Sequence, residues 1–251
     1  MEAAQAYVML SRVQALSQLF ILEDVCEKKI YASNTALETL NKMNTLAINN
    51  KHSKSIVVSC NIRSLNRHHR DLITTPSLMA SDVICLQETW ITGDFQKLEI
   101  PGFTHSFNNG GRGKGIATYY GQSYYLIKDI RQDMYQITKV GSNDLEIINI
   151  YRSDGASTNA LIKDISRLID QSKITIIVGD LNICFLSERK HPVVVFIERK
   201  GFNQLVVNPT HTNGRLLDHV YQYIPHAQKE APFKVEQQSP YYTDHDILWI
   251  S

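Results

Sequence analysis

From Ile56 onward, short β-branched apolar runs alternate with polar or glycine-bearing turns: IVVSC (56–60), DVICLQ (82–87), GIATYY (115–120), LEIINIY (145–151), ITIIVG (174–179), LLDHVY (216–221) and HDILWI (245–250). Runs of this length and composition predict strands. Two stretches break the pattern. NALIKDISRLID (159–170) sets Leu161, Ile162, Ile165, Leu168 and Ile169 on one face at helical spacing. HPVVVFIERKG (191–201) predicts a second helix, with Pro192 in its first turn and Gly201 beyond its end. The glycine-rich NNGGRGKG (108–115) predicts a turn between strands, and SDGASTN (153–159) a loop that caps the first helix. Neither has the spacing of a phosphate loop. The first fifty residues have another texture, mainly helical in period, and the natural boundary falls at Asn49–Lys54.

Composition narrows the class. With 251 residues, 43% of them hydrophobic, the chain can bury a sizeable core in one large domain plus an appendage. No apolar run approaches the roughly 20 residues of a membrane-spanning helix, and MEAAQAYVML lacks the basic start of a secretory signal, so an intracellular location is expected. Cys26, Cys60, Cys85 and Cys184 stand far apart without a CxxC pair, which indicates buried thiols rather than a zinc site or a disulfide framework. A formal charge of +1 carries no global footprint of a nucleic-acid binder, so any polyanion must be met by a local patch.

The residues that end or follow the apolar runs carry the chemistry: Asn61, Glu88, Tyr151, Asp180 with Asn182, Asp218, and Asp244 with His245. Strands packed together can deliver such residues to a common edge, where loops reach a ligand. The pocket so built is expected to be acidic, with amides and one imidazole. Hard oxygen donors in that number suit Mg²⁺, and an acidic hole accepts a phosphate only with a metal between them. Taken singly, each Asn or Asp is a turn former, Tyr151 an ordinary strand residue and His245 a satisfied core histidine. Their joint occurrence at strand ends is much harder to attribute to turns.

The ordered set CNIRSLN, LQETW, INIYR, VGDLN, LLDHVY and TDHDIL resembles the exonuclease/endonuclease/phosphatase superfamily, and more closely its compact retrotransposon-type endonucleases, over about residues 54–251. The resemblance implies a four-layered α/β sandwich of two mixed β-sheets flanked by helices, with residues 1–50 as a short helical appendage. It implies Mg²⁺, with Mn²⁺ as a substitute, held by Glu88 and Asn61 with Asp244 as a further contact. Asp180 would orient and deprotonate the attacking water, Asn182 would hold that water or a phosphate oxygen, and Tyr151 would donate to the scissile phosphate. His245, fixed by Asp218, would stabilise negative charge. Arg63 departs from repair-type relatives, which carry a metal-binding acid there, so a second metal is not expected. RSLNRHHR (63–70) is ordinarily a solvated helix face, but beside this site Arg63, Arg67 and Arg70 are candidate DNA contacts, with Arg112 and Lys114 weaker ones.

QAYVMLSRVQALSQLFIL (5–22) resembles the last conserved motif of Pif-family and Helitron-type DNA helicases, in which the arginine, here Arg12, reaches the nucleotide's terminal phosphate. No GxxxxGK[ST] occurs, so residues 1–50 are expected to be a helicase remnant without a motor or any cofactor-binding loop, ahead of a nuclease domain over 51–251. Together these resemblances imply a transposon-derived, nuclear DNA endonuclease leaving 3′-hydroxyl and 5′-phosphate ends, with DNA as partner, no membrane, and no protein partner inferable. Two competing readings stay open: a phosphomonoesterase acting on lipid or inositol phosphates, and a non-catalytic DNA-binding relic.

Overall fold

The computed structural model describes residues 55–92, 98–226, 228 and 232–251, all within one compact unit, Lys54–Ser251. The helicase reading of residues 1–50 lies outside the described residues. Among the described residues are twelve strands, seven of them the predicted apolar runs: β1 (Val57–Asn61), β2 (Val83–Gln87), β3 (Thr104–Asn108), β4 (Ile116–Tyr120), β5 (Tyr125–Arg131), β6 (Tyr135–Gly141), β7 (Leu145–Arg152), β8 (Ile174–Asp180), β9 (Asn203–Gln204), β10 (Asp218–Tyr223), β11 (Val235–Gln238) and β12 (Ile247–Ile250). Four helices accompany them among the described residues: α1 (Leu65–Ile73), α2 (Pro76–Met79), α3 (Thr158–Leu168) and α4 (Pro192–Arg199).

Two six-stranded sheets result, ordered β11-β12-β1-β2-β4-β3 and β5-β6-β7-β8-β10-β9. Each is mixed, with one parallel pair at its centre, β1 beside β2 and β7 beside β8. Parallel neighbours require a crossover, supplied by α1 and α2 in the first sheet and by α3 in the second. Alternation along a strand then sorts side chains between layers. In β1 and β2, Val57, Val83 and Cys85 enter the core shared with the second sheet, while Val58, Cys60, Ile84 and Leu86 pack outward with Leu65, Leu72 and Leu78 of α1 and α2. On the far side, Leu161, Ile165 and Leu168 of α3 and Val193, Val194 and Ile197 of α4 cover the second sheet. This is the four-layered sandwich. Strands covered on both faces are apolar at most positions, which is why several of their sequences read as near-continuous runs.

Local signals act where the sequence places them. Ser157 caps α3, its hydroxyl accepting from the Ala160 amide, and Pro192 sits in the first turn of α4. Cys60, Cys85 and Cys184 are free and buried. No helix among the described residues is long and apolar enough to cross a membrane.

Candidate active site

Strand register brings the polar ends together. Tyr151 of β7 pairs with Asp180 of β8, and Asp180 with Asp218 of β10, so three residues form one row at the same end of the second sheet. In the first sheet Asn61 ends β1 beside Gln87, and Glu88 is the next residue. The two rows meet: the Asn61 amide donates to Asp180 Oδ2 at 2.9 Å, across the sandwich. A buried amide relay lies deeper, where Gln87 donates to Asn149 Oδ1 at 2.7 Å and Asn149 to Thr118 Oγ1 at 3.0 Å, locking the sheets behind the site.

Backbone geometry shows strain at this edge. The non-glycine residues with positive φ among those described are Arg63, Ser64, Glu88, Trp90 and Asn182, all just beyond β1, β2 and β8. Such conformations cost about 1–3 kcal/mol each and persist only where the surroundings over-determine them. Here the surroundings are backbone ties between loops: Ser64 N to Glu88 O at 2.9 Å, Leu65 N to Thr89 O at 2.9 Å, and Trp90 N to Lys114 O at 2.9 Å. The glycine turn predicted at 108–115 is the last of these supports.

Asp180 is fully buried and accepts from the Asn61 amide and the Asn182 backbone N–H. Burial first, then the neighbouring Asp218 carboxylate, raise its pKa, opposed by His245. Asp218 Oδ2 accepts from Thr210 Oγ1 at 2.6 Å and faces His245 Nδ1 at 2.8 Å. Burial alone would lower the imidazole of His245, but the charge and hydrogen bond of Asp218, with Asp180 and Asp244 nearby, raise it to about 9. His245 is therefore a cation at neutral pH. The Tyr151 hydroxyl donates to the Gly113 carbonyl at 2.6 Å; burial, joined by Glu88 and Asp180, pushes it up to about 12 against the bond from Ser153. The Asn182 side-chain amide donates to Arg152 O at 2.7 Å, which holds it against β7.

The proposed ligands divide into two settings. Glu88 takes the Trp90 indole N–H on Oε2 at 3.1 Å, and Asn61 Oδ1 accepts only the Arg63 amide at 3.2 Å among the bonds of the described residues. Two hard oxygens with coordination capacity left fit an ion that keeps waters and takes one or two protein ligands plus phosphate oxygens. Asp244 is different. Its Oδ2 is paired with the Arg63 guanidinium and lies 3.4 Å from His211 Nε2, while Oδ1 is buried without a hydrogen-bond partner. The expectations of a metal contact at Asp244 and a DNA contact at Arg63 thus converge on a single ion pair. Among the described residues, two side-chain groups have potential ligand atoms within 4.8 Å of one another, His211–Asp244–His245 and Asp180–Asp218–His245.

The expectation of one imidazole is corrected, because His211 joins the site. It forms a β-bridge with His245, and their rings meet edge to face at 4.6 Å. Burial and the charge of His245 lower its pKa, so it is the neutral member of the pair. Thr210, which holds Asp218, was missed as well. Both lie in NPTHTNGRLLDHVY, eight and seven positions before Asp218, where a THT run ahead of the acid that opens β10 was the available signal. Of the basic cluster at 63–70, Arg63 ahead of α1 and Arg67 on it line a groove of about 880 Å³ beside the site, as does Arg112 from the glycine turn. Arg70 is not among the residues lining that groove.

Residues 58–223 match the Endonuclease/Exonuclease/phosphatase family, and the chain belongs to it. No curated protein matches by sequence. Among solved structures the fold is similar to an AP endonuclease from Archaeoglobus fulgidus (16% identity, TM-score 0.58, covering 79% of this chain and 99% of that one). It is similar also to the endonuclease domain of TRAS1, a telomere-specific non-LTR retrotransposon (12%, TM-score 0.59, 78% and 96%). A third is the 3′ phosphatase NExo from Neisseria, bound to a product DNA hairpin (14%, TM-score 0.58, 79% and 99%).

Proposed function

We propose that the protein is a Mg²⁺-dependent DNA endonuclease that hydrolyses phosphodiesters to 3′-hydroxyl and 5′-phosphate ends. The observation that carries this reading is the junction of Asn61, Asp180, Asp218 and His245, bonded across two sheets, beside a groove lined by Arg63, Arg67 and Arg112. Glu88 and Asn61 would hold the ion, with Mn²⁺ an acceptable substitute; when bound it would supply charge that offsets the phosphate's and stabilises the developing oxyanion. Asp180, whose raised pKa makes it a stronger base than an ordinary carboxylate, orients the water and takes its proton. Asn182 positions the water or a phosphate oxygen. Tyr151, neutral at working pH, donates to the phosphate on release from Gly113. His245 sets a fixed positive charge against the one that grows at phosphorus, where preorganised electrostatics are most effective.

Residues 1–50, read as a helicase remnant, give the chain a transposable-element origin and a nuclear setting in which DNA is the partner. The test is incubation with supercoiled plasmid with and without Mg²⁺, alongside free-phosphate release from phosphoinositides. Mg²⁺-dependent nicking that falls by at least about 10²-fold in Glu88→Ala is expected. Undiminished nicking in EDTA would sink the metal reading, phosphate release alone would establish the phosphomonoesterase, and neither activity would leave a DNA-binding relic.

A further inference from the structure

The groove beside the acidic cluster has a chemistry of its own. Besides its guanidinium groups, the aromatic rings of Trp90, Tyr241 and Tyr242 line it. The groove is joined to the cluster by direct contacts: the Trp90 indole to Glu88 at 3.1 Å, Arg63 to Asp244, and the Thr243 hydroxyl to the Asn61 carbonyl at 2.9 Å. Arg112 lies 5.9 Å from the Trp90 ring centroid. Tyr242 is stacked by His68 at 5.1 Å and met edge-on by Tyr241, whose own residue surface is 84% exposed. Arg67 and Arg112 have no ion pair among the described residues, so their charge is available to a ligand.

Trp90 is held there at a cost. Its φ of 52° is unfavourable for a bulky residue, yet the Lys114 carbonyl accepts its backbone N–H at 2.9 Å and Gly115 O accepts that of Thr89 at 3.1 Å. Relaxing this turn would move the indole away from both Glu88 and the groove.

Cations and aromatic faces in one groove fit a polymer that carries both phosphates and planar bases. Lipid tails and inositol rings have no π-face to stack. In a duplex the bases cover one another and present only their edges, so these rings can be used only by a base that has left the stack. We infer that the groove is a stacking site for an unpaired nucleotide, and that the DNA acted on carries an unpaired stretch beside the scissile phosphate. The cleavage half of this statement rests on the endonuclease reading; the stacking half does not.

Binding is therefore measured apart from cleavage, with the full chain in EDTA, using an oligothymidylate strand and a blunt duplex of equal length as probes. The single strand binds more tightly and quenches tryptophan emission, because Trp90 is one of only two tryptophans and the other, Trp249, donates to Gln238 on β11. Trp90→Ala and Tyr241→Ala each lower single-strand affinity by about tenfold and leave duplex affinity and thermal midpoint unchanged. Trp90→Phe keeps most of the affinity and abolishes the quench. With Mg²⁺ added, supercoiled plasmid, which exposes unpaired regions, is cut faster than relaxed plasmid. Equal losses on both probes, absence of quenching, or tighter binding of an oligouridylate strand would overturn the inference while leaving the endonuclease reading intact. Stacking without cleavage of any DNA would overturn the endonuclease reading alone.

Discussion

Asp218 shares one carboxylate oxygen between two buried partners, the Thr210 hydroxyl at 2.6 Å and His245 Nδ1 at 2.8 Å. That arrangement fixes the ring and leaves Nε2 directed away from Asp218, 3.9 Å from Asp244 Oδ1. If Asp218 acts only through His245, Asp218→Asn and His245→Ala should each reduce turnover by on the order of 10²-fold or more, and the double variant should be little worse than the poorer single. Losses that multiply, in variants that remain folded, would separate the pair. His219, one position along β10, works in the opposite electrostatic sense. Both its nitrogens are engaged, Nδ1 with Tyr221 Oη at 2.9 Å and Nε2 with Ile183 O at 2.8 Å, and burial drives its pKa down to about 4. The unfolded chain takes up this proton near pH 6.5 and the folded one only near 4. The stabilisation is whole above 6.5 and lost as pH falls through that window, amounting to about 3 kcal/mol. Denaturant midpoints for the native chain and His219→Gln should therefore converge as pH is lowered from 7 to 4; parallel curves would remove His219 as the source.

The β7–β8 pair delivers Tyr151 and Asp180 to one row, and it depends on the glycine that precedes the acid. Gly179 has a φ of 138°, and a Cβ there would fall 1.8 Å from the Ile150 carbonyl oxygen of β7. Gly179→Ala must therefore push the two central strands of the second sheet apart. The expected loss is about 3 kcal/mol or more, with activity falling even at temperatures where the variant is folded. A stability within about 0.5 kcal/mol of the native chain would show that β7 yields at no cost. Legibility in the sequence followed the same physics. The strands read correctly, β1, β2, β4, β7, β8, β10 and β12, are largely buried and carry mostly apolar runs, which made them legible. Strand β6 went unread because its YQITKVG sequence buries Gln136, Thr138 and Lys139. Lys139 is satisfied only in three dimensions, by Glu146 at 2.6 Å and by the Leu168 carbonyl at the end of α3. Strand β5 opens on the apolar Tyr125, Leu126 and Ile127 but leaves them exposed, and β9 has only two residues. In the site, residues at or just beyond the ends of apolar runs were legible, since an acid or amide after such a run stands out. Thr210 and His211 lie in a loop, and only the fold brings them to Asp218 and Asp244.

Both sheets, both helical covers and every proposed catalytic or metal-binding residue, from Asn61 to His245, belong to the unit that begins at Lys54. Its first described residues are tied into that unit: Ile56 N donates to Asp82 Oδ2 at 2.8 Å, and Ser55 Oγ accepts from the Tyr124 hydroxyl at 2.7 Å. A cut at Lys51 preserves these bonds and removes the segment read as a helicase remnant. The shortened chain should keep its nicking activity and most of its thermal stability, because the apolar clusters of the described residues are built within 57–250. Arg12→Ala in the full chain should change neither quantity, and ATP should be neither hydrolysed nor able to alter nicking, since the phosphate cradle needed to use it is missing from the sequence. Thermal melts and plasmid assays on the two chain lengths decide the matter. Unfolding or loss of cleavage on removal of residues 1–50 would make that segment an integral part of the nuclease and move the boundary toward the N-terminus. An ATP effect on nicking would instead mean that Arg12 still meets a nucleotide, supplied through a phosphate site on another polypeptide.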